Sequence, residues 1–164
     1  MIVVSDTTPL ISLLKIGRLE LLEKLFGYVL IPQAVYSELT VDERFKLEAE
    51  QIKNKKYIEI CTVSNMSSVS ILKRVTGLDQ GESEAIVLTD EIKADLLLMD
   101  EAKGRKVSNE MGFKIMGTIG ILMAAYKEGE FTSEEVKECI GGLQQAGRHI
   151  GQRQYQRLLD MLED

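Results

Sequence analysis

Short apolar runs alternate along the chain with longer segments of helical spacing. Ile2-Val3-Val4 is a β-branched run that stops at Ser5-Asp6 and predicts a buried strand. Pro9 suits the first turn of a helix capped by Thr7 or Thr8, with Leu10, Leu13, Leu14 and Ile16 as its apolar face and Gly17 as its end. Leu19 to Phe26 predicts a second helix closed by Gly27, and Tyr28 to Ile31 a strand ended by Pro32. Gln33 to Leu39 reads as helix, Val41 to Lys56 as a solvated helix, and Tyr57 to Val63 as a third strand. The theme continues with helices at Gly81–Lys93 and Ala102–Met111, strands at Asp95–Met99 and Phe113–Met116, and a helix from Gly117 through Ala125. Two more helices follow, Thr132–Gln145 and Gly151–Leu162; in the last, Tyr155, Leu158, Leu159 and Leu162 form a docking face. Alternation of this kind predicts an α/β fold with a parallel sheet covered on both faces.

Neither repeats nor linkers divide the chain, and 164 residues fit one domain, which sets the expected extent at 1–164. Hydrophobic residues at 45% and charged residues at 28% describe an ordinary globular composition. Only two cysteines occur, Cys61 and Cys139, without metal-ligand spacing, so free thiols in a reducing compartment are expected. The N-terminus has no leader-like apolar core, and the longest nearly apolar stretch, Ile115 to Tyr126, falls short of the roughly 20 residues of a membrane span. A cytoplasmic protein with no membrane partner is the expectation.

Charge changes the picture more. Twenty-six acids against 20 bases leave a net −6, which argues against coating nucleic acid by bulk charge. The single histidine, His149, removes any two-histidine metal site and has no apparent nucleophile or orienting acid nearby. Carboxylates carry the remaining chemistry. Asp6 and Asp100 each close a strand, and in open parallel sheets ligands bind beyond the carboxyl ends of strands. Each alone is equally compatible with capping the next helix. Glu38 sits on the helix leaving the second strand, and Glu82 opens the helix in GLDQGESEAI, where capping is the competing role. Glu84 and Asp79 are weaker candidates. Four carboxylates at one sheet edge repel one another unless a hard cation such as Mg²⁺ or Mn²⁺ joins them. Such a cation suits phosphoryl chemistry without histidine.

The segments VVSDTTPLISLLKIGRLELL, VLIPQAVYSEL, GLDQGESEAIVL, ADLLLMDEAKGRKVS and IMGTIGILMAA resemble, in that order, the PIN-domain family, which includes the VapC-type toxins. The likeness is to its prokaryotic subgroup with an SDTTPLI start and a GESEA-type third motif, and runs to about Gly129, leaving 130–164 as a helical extension of a 1–129 core. It implies a Rossmann-like three-layer α/β/α sandwich and a metal-dependent ribonuclease cutting single-stranded RNA, in many members as the toxin of a toxin–antitoxin pair. It also implies a homodimer and a small antitoxin protein as partner. By the same likeness Asp6, Glu82 and Asp100 would hold the metal, Glu38 would bind a second metal or orient water, and Thr118 would hydrogen-bond a ligand or substrate oxygen. Glu82 falls eighteen residues before Asp100, where the third acid is expected, with Glu84 as the alternative ligand. After Asp100 the usual DxDF is replaced by DEAKGR, so the next acid is Glu101 instead. That departure keeps open a PIN-like module that binds RNA or a partner without cutting. A phosphohydrolase of small esters is a third reading.

Two basic segments complete the inventory. Lys103, Arg105 and Lys106 follow Asp100, with Arg105 the best placed to steer a phosphate backbone. Arg148, Arg153 and Arg157 lie in an acid-free stretch from Gly141 to Leu159, which reads first as the polar side of a helix and otherwise as a contact for RNA, an antitoxin helix or a second copy. No Gly-rich dinucleotide or P-loop motif occurs.

Overall fold

The computed structural model describes residues 1–148 and 150–163. Five strands, β1 (Val3–Ser5), β2 (Val29–Ile31), β3 (Ile58–Ile60), β4 (Leu96–Leu98) and β5 (Ile115–Met116), form one parallel sheet in the order β3-β2-β1-β4-β5. The chain builds outward from β1 to β3, then crosses back to place β4 on the other side of β1. The strand order therefore reverses between β1 and β4, and a crevice opens beyond their carboxyl ends.

Successive residues of a strand face opposite sides, and the core divides accordingly. Val3, Val29, Ile31, Leu96 and Leu98 face one layer, made of α1 (Thr7–Lys15), α2 (Leu21–Phe26), α3 (Gln33–Val41), α4 (Lys46–Lys53), α8 (Thr118–Lys127), α9 (Ser133–Gln145) and α10 (Gln152–Glu163). Val4, Leu97 and Met99 face the other, made of α5 (Met66–Thr76), α6 (Gln80–Glu91) and α7 (Ala102–Glu110). The result is the three-layer α/β/α sandwich that the sequence pattern and the resemblance imply. Leu158 and Leu162 of α10 are buried in the first core, Tyr155 packs against it, and Leu159 is half-buried.

Several local expectations are corrected. The first residue before α1 is Asp6, with extended backbone, so Thr7 and Thr8 lie inside the first turn rather than capping it. The stretch Val41–Lys56 is not one solvated helix. Asp42 adopts an extended backbone and accepts from the Arg44 N–H, which ends α3 and starts a 3-10 turn at Glu43–Phe45. The following α4 lays Ala49 and Ile52 into the core. Residues 64–78 suggest no element in sequence yet contain α5, capped by Asn65 Oδ1 on the Ser68 N–H and closed by Gly77 at φ 76°. Cys61 and Cys139 are free thiols. Among the described residues no helix is long and apolar enough to cross a membrane. His149 lies outside the described residues.

Candidate active site

The crevice is built by backbone register first. Ser5 pairs with Leu98, and the Asp6 N–H donates to the Leu98 carbonyl at 3.0 Å. Asp6 and Asp100 thus emerge from neighbouring parallel strands at the same edge.

Asp6 is only 4% exposed, and its side chain makes no cap bond to α1. Burial is the main cause that pushes its carboxyl from 3.8 up to about 8; a hydrogen bond from the Thr7 backbone opposes this, and the charges of Glu82, Asp79 and Glu38 add to the rise. Glu38 reaches this edge from α3, which packs against α6, and its Oε2 accepts from Thr7 Oγ1 at 2.9 Å. Gly81 at the start of α6 makes room: a Cβ there would lie 3.1 Å from Glu38 Oε2.

Glu82 performs the capping role and faces the site as well. Its N–H donates to Asp79 Oδ1 at 2.8 Å, while its Oε2 accepts from the Asp79 N–H at 3.1 Å. Burial foremost raises its carboxyl above the ordinary value, with Asp79 and Glu101 adding repulsion. Asp79, ranked low from sequence, therefore belongs electrostatically to the group; its signal was the D-x-x-E spacing of a capping box. Glu84 is engaged elsewhere. It is buried, with Oε1 accepting from the Ala34 N–H at 3.2 Å and Oε2 from Gln80 Nε2 at 2.7 Å, so it pins the start of α3 to α6.

Across the crevice, Asp100 is fixed by one residue. Its Oδ1 accepts from the Thr118 N–H at 2.7 Å and its Oδ2 from Thr118 Oγ1 at 2.6 Å. Thr118 begins α8, so the helix N-terminus also favours this carboxylate. Gly117, just before it, is required by close approach: a Cβ would come within 2.7 Å of Asp100 Oδ1 and 2.9 Å of Arg105 Nη1. Arg105 Nη1 donates to the Met99 carbonyl at 3.0 Å, which holds its guanidinium beside the end of β4. Lys103 points elsewhere, its Nζ lying 3.4 Å from where a Gly77 Cβ would be. Glu101 caps α7 by accepting from the Gly104 N–H at 2.7 Å.

Among the described residues, Asp6, Glu38, Glu82 and Asp100 form no ion pair with Lys or Arg. No group of three ligating side chains stands ready-made to hold a metal ion among those residues. The physical reason lies in the bonds above: Thr118, Thr7 and the Asp79–Glu82 box each hold one carboxylate to the protein. The donor set nevertheless fits a hard divalent cation, since every candidate atom is oxygen and the uncompensated charge around Asp6 is what such an ion relieves.

A doubly wound α/β/α sandwich with carboxylates at the strand ends of its switch point belongs to the class whose ligands bind beyond the carboxyl ends of the strands. More specifically, a family profile described as PIN domain matches residues 2–164, and the chain belongs to the PIN-domain family, whose fold is that of nucleases using divalent metals and binding nucleic acids. The match runs past Gly129 through α9 and α10. No curated protein matches the chain.

Proposed function

We propose that the chain is a Mg²⁺- or Mn²⁺-dependent endoribonuclease of single-stranded RNA, serving as the toxin of a toxin–antitoxin pair in the cytoplasm, as a homodimer restrained by a small antitoxin protein. The observation that carries the reading is Asp6, a buried carboxylate pushed up to about 8 among three other acids and without a basic partner among the described residues. A fold retains such an arrangement at a cost unless a cation joins it.

In this reading Asp6, Glu82 and Asp100 hold the ion. Bound there, it would supply positive charge that makes the scissile phosphorus more electrophilic and offsets the negative charge developing on the phosphate oxygens. Thr118 fixes both oxygens of Asp100, so that carboxylate does not swing when substrate arrives. Glu38, oriented by the Thr7 hydroxyl, accepts the proton of the attacking water. Arg105, anchored on the Met99 carbonyl, holds a non-bridging phosphate oxygen beside Asp100. Glu84 acts indirectly, by keeping α3 and hence Glu38 in place.

A second reading, a PIN module that binds RNA without cutting, is favoured by Asp100 and Glu82 already being satisfied by protein donors. Incubating the purified chain with a panel of single-stranded RNAs and Mn²⁺ separates the two. Discrete cleavage that disappears with chelator is expected. A folded chain that binds the panel and cuts none of it would overturn the nuclease reading.

A further inference from the structure

Beside the acidic crevice runs a groove of about 1360 Å³, larger than the roughly 300–1,000 Å³ of ordinary small-molecule pockets. Asp100 and Thr118 line it, so it is continuous with the candidate active site. From there it passes β5 at the edge of the sheet, between α7 and α8, to the α9–α10 connection and the first turns of α10.

Two basic segments more than forty residues apart in sequence meet in its lining. Arg105 and Lys106 come from α7, Lys127 from the end of α8, Arg148 from the α9–α10 connection and Arg157 from α10. Among the described residues none of these five is in an ion pair. The Arg148 Nε is buried and has no acceptor among the described residues. Between the cations the surface is largely apolar, with the half-buried Ile119, Met123 and Ile150, and no aromatic ring among the described lining residues. Glu110 and Glu128 also line it, and Glu101 is engaged in capping α7, so the cationic excess is small.

We infer that this groove carries the single-stranded RNA leading away from the cleavage site, with α10 and the α9–α10 connection as a phosphate-binding wall. The inference rests on the nuclease reading and extends it to a region that the catalytic acids do not touch. Cations without acid partners line the groove where a phosphate chain would pass, and an apolar floor accepts base faces of any sequence. Lacking aromatic platforms, the groove binds without strong base preference and with modest affinity. An acidic amphipathic peptide shares some of this complementarity, but the direct continuity with Asp100 favours the substrate strand.

The test is fluorescence anisotropy of the full chain with a labelled oligouridylate of roughly 12 nucleotides, within the span of about 4–16 nucleotides typical of single-strand sites. Chelator is present, so that binding is read apart from cutting. Each lost phosphate contact lowers the slope of log affinity against log salt by about 0.7 and the affinity by about 0.7 decade near 0.1 M salt. Arg148→Glu/Arg157→Glu is therefore expected to weaken binding about 25-fold and to flatten the slope by about 1.4. Arg148→Lys/Arg157→Lys keeps the slope. Arg153→Glu, on the same helix but outside the groove, should leave binding nearly unchanged. The inference falls if the double charge reversal binds within about twofold of wild type, if Arg153→Glu weakens binding equally, or if only an acidic helical peptide binds. Its failure is distinct from failure of the nuclease reading. Wild type that cleaves in Mn²⁺ while the charge reversals bind normally removes the groove alone; groove-dependent binding without any cleavage removes the nuclease alone.

Discussion

Replacing Asp6 with asparagine should strengthen the fold while abolishing the chemistry. In the folded chain the Asp6 carboxyl is pushed up to about 8 from its ordinary 3.8, mainly by burial. Between those two values the unfolded chain has released a proton that the folded chain retains, so stability falls as pH rises, by about 1.4 kcal/mol per unit. At pH 7 the accumulated loss is about 4 kcal/mol, and at pH 5 about 2 kcal/mol. Asparagine has nearly the same shape, can still accept from the Thr7 backbone, and never ionises. Asp6→Asn is therefore expected to be more stable than wild type by about 4 kcal/mol near neutrality, roughly 10 °C in Tm for a domain of this size. The gap should shrink toward pH 5 and widen toward pH 8. Thermal unfolding followed by circular dichroism, in chelator and across that range, measures it. Adding Mn²⁺ should raise the wild-type Tm and leave the variant unmoved. Equal Tm values for the two proteins, or a gap that does not grow with pH, would refute the reasoning about Asp6.

Two other substitutions probe the supports of the site. Gly117→Ala places a methyl against Asp100 and Arg105; relief requires breaking the Asp100–Thr118 bonds, so urea unfolding should show a loss of about 1–3 kcal/mol and cleavage should drop at least about tenfold. Glu84→Ala takes the acceptor from the part-buried Ala34 N–H and Gln80 Nε2, at about 1–2 kcal/mol by the same assay, and lowers kcat through Glu38 without changing which metal supports activity.

What could be read from residues alone depended on how local its cause was. Val3-Val4 and Leu96-Leu97-Leu98 are buried on both faces and end in acids, so the strands, their parallel pairing and the placing of Asp6 and Asp100 at the same end of the sheet were legible in the chain. The capping role of Glu82 beside Asp79 was visible as a spacing. By contrast, α5 buries only Val69 fully and leaves Ile71 and Val75 exposed, so no apolar stripe announces it. The break at Asp42 depends on one side-chain bond inside an otherwise helical run of charges. Glu84 meets Ala34 across fifty residues, and Thr118 meets Asp100 across eighteen, pairings set by tertiary packing that no local pattern encodes. The same holds for Arg105 and Arg157, which share a groove only because Leu158 and Leu162 dock α10 into the first core. Net charge is uninformative for a related reason: a −6 total does not say where the acids and the bases gather.

The measurement that bears most directly on the central claim is cleavage of single-stranded RNA in Mn²⁺ by wild type, Asp6→Asn and Asp100→Asn side by side, with a chelator control. Wild-type cleavage that vanishes in chelator and is nearly lost in both variants is the expected result. Cleavage by both variants at the wild-type rate, or wild-type activity indifferent to chelator, would contradict the assignment of this carboxylate edge as the catalytic centre.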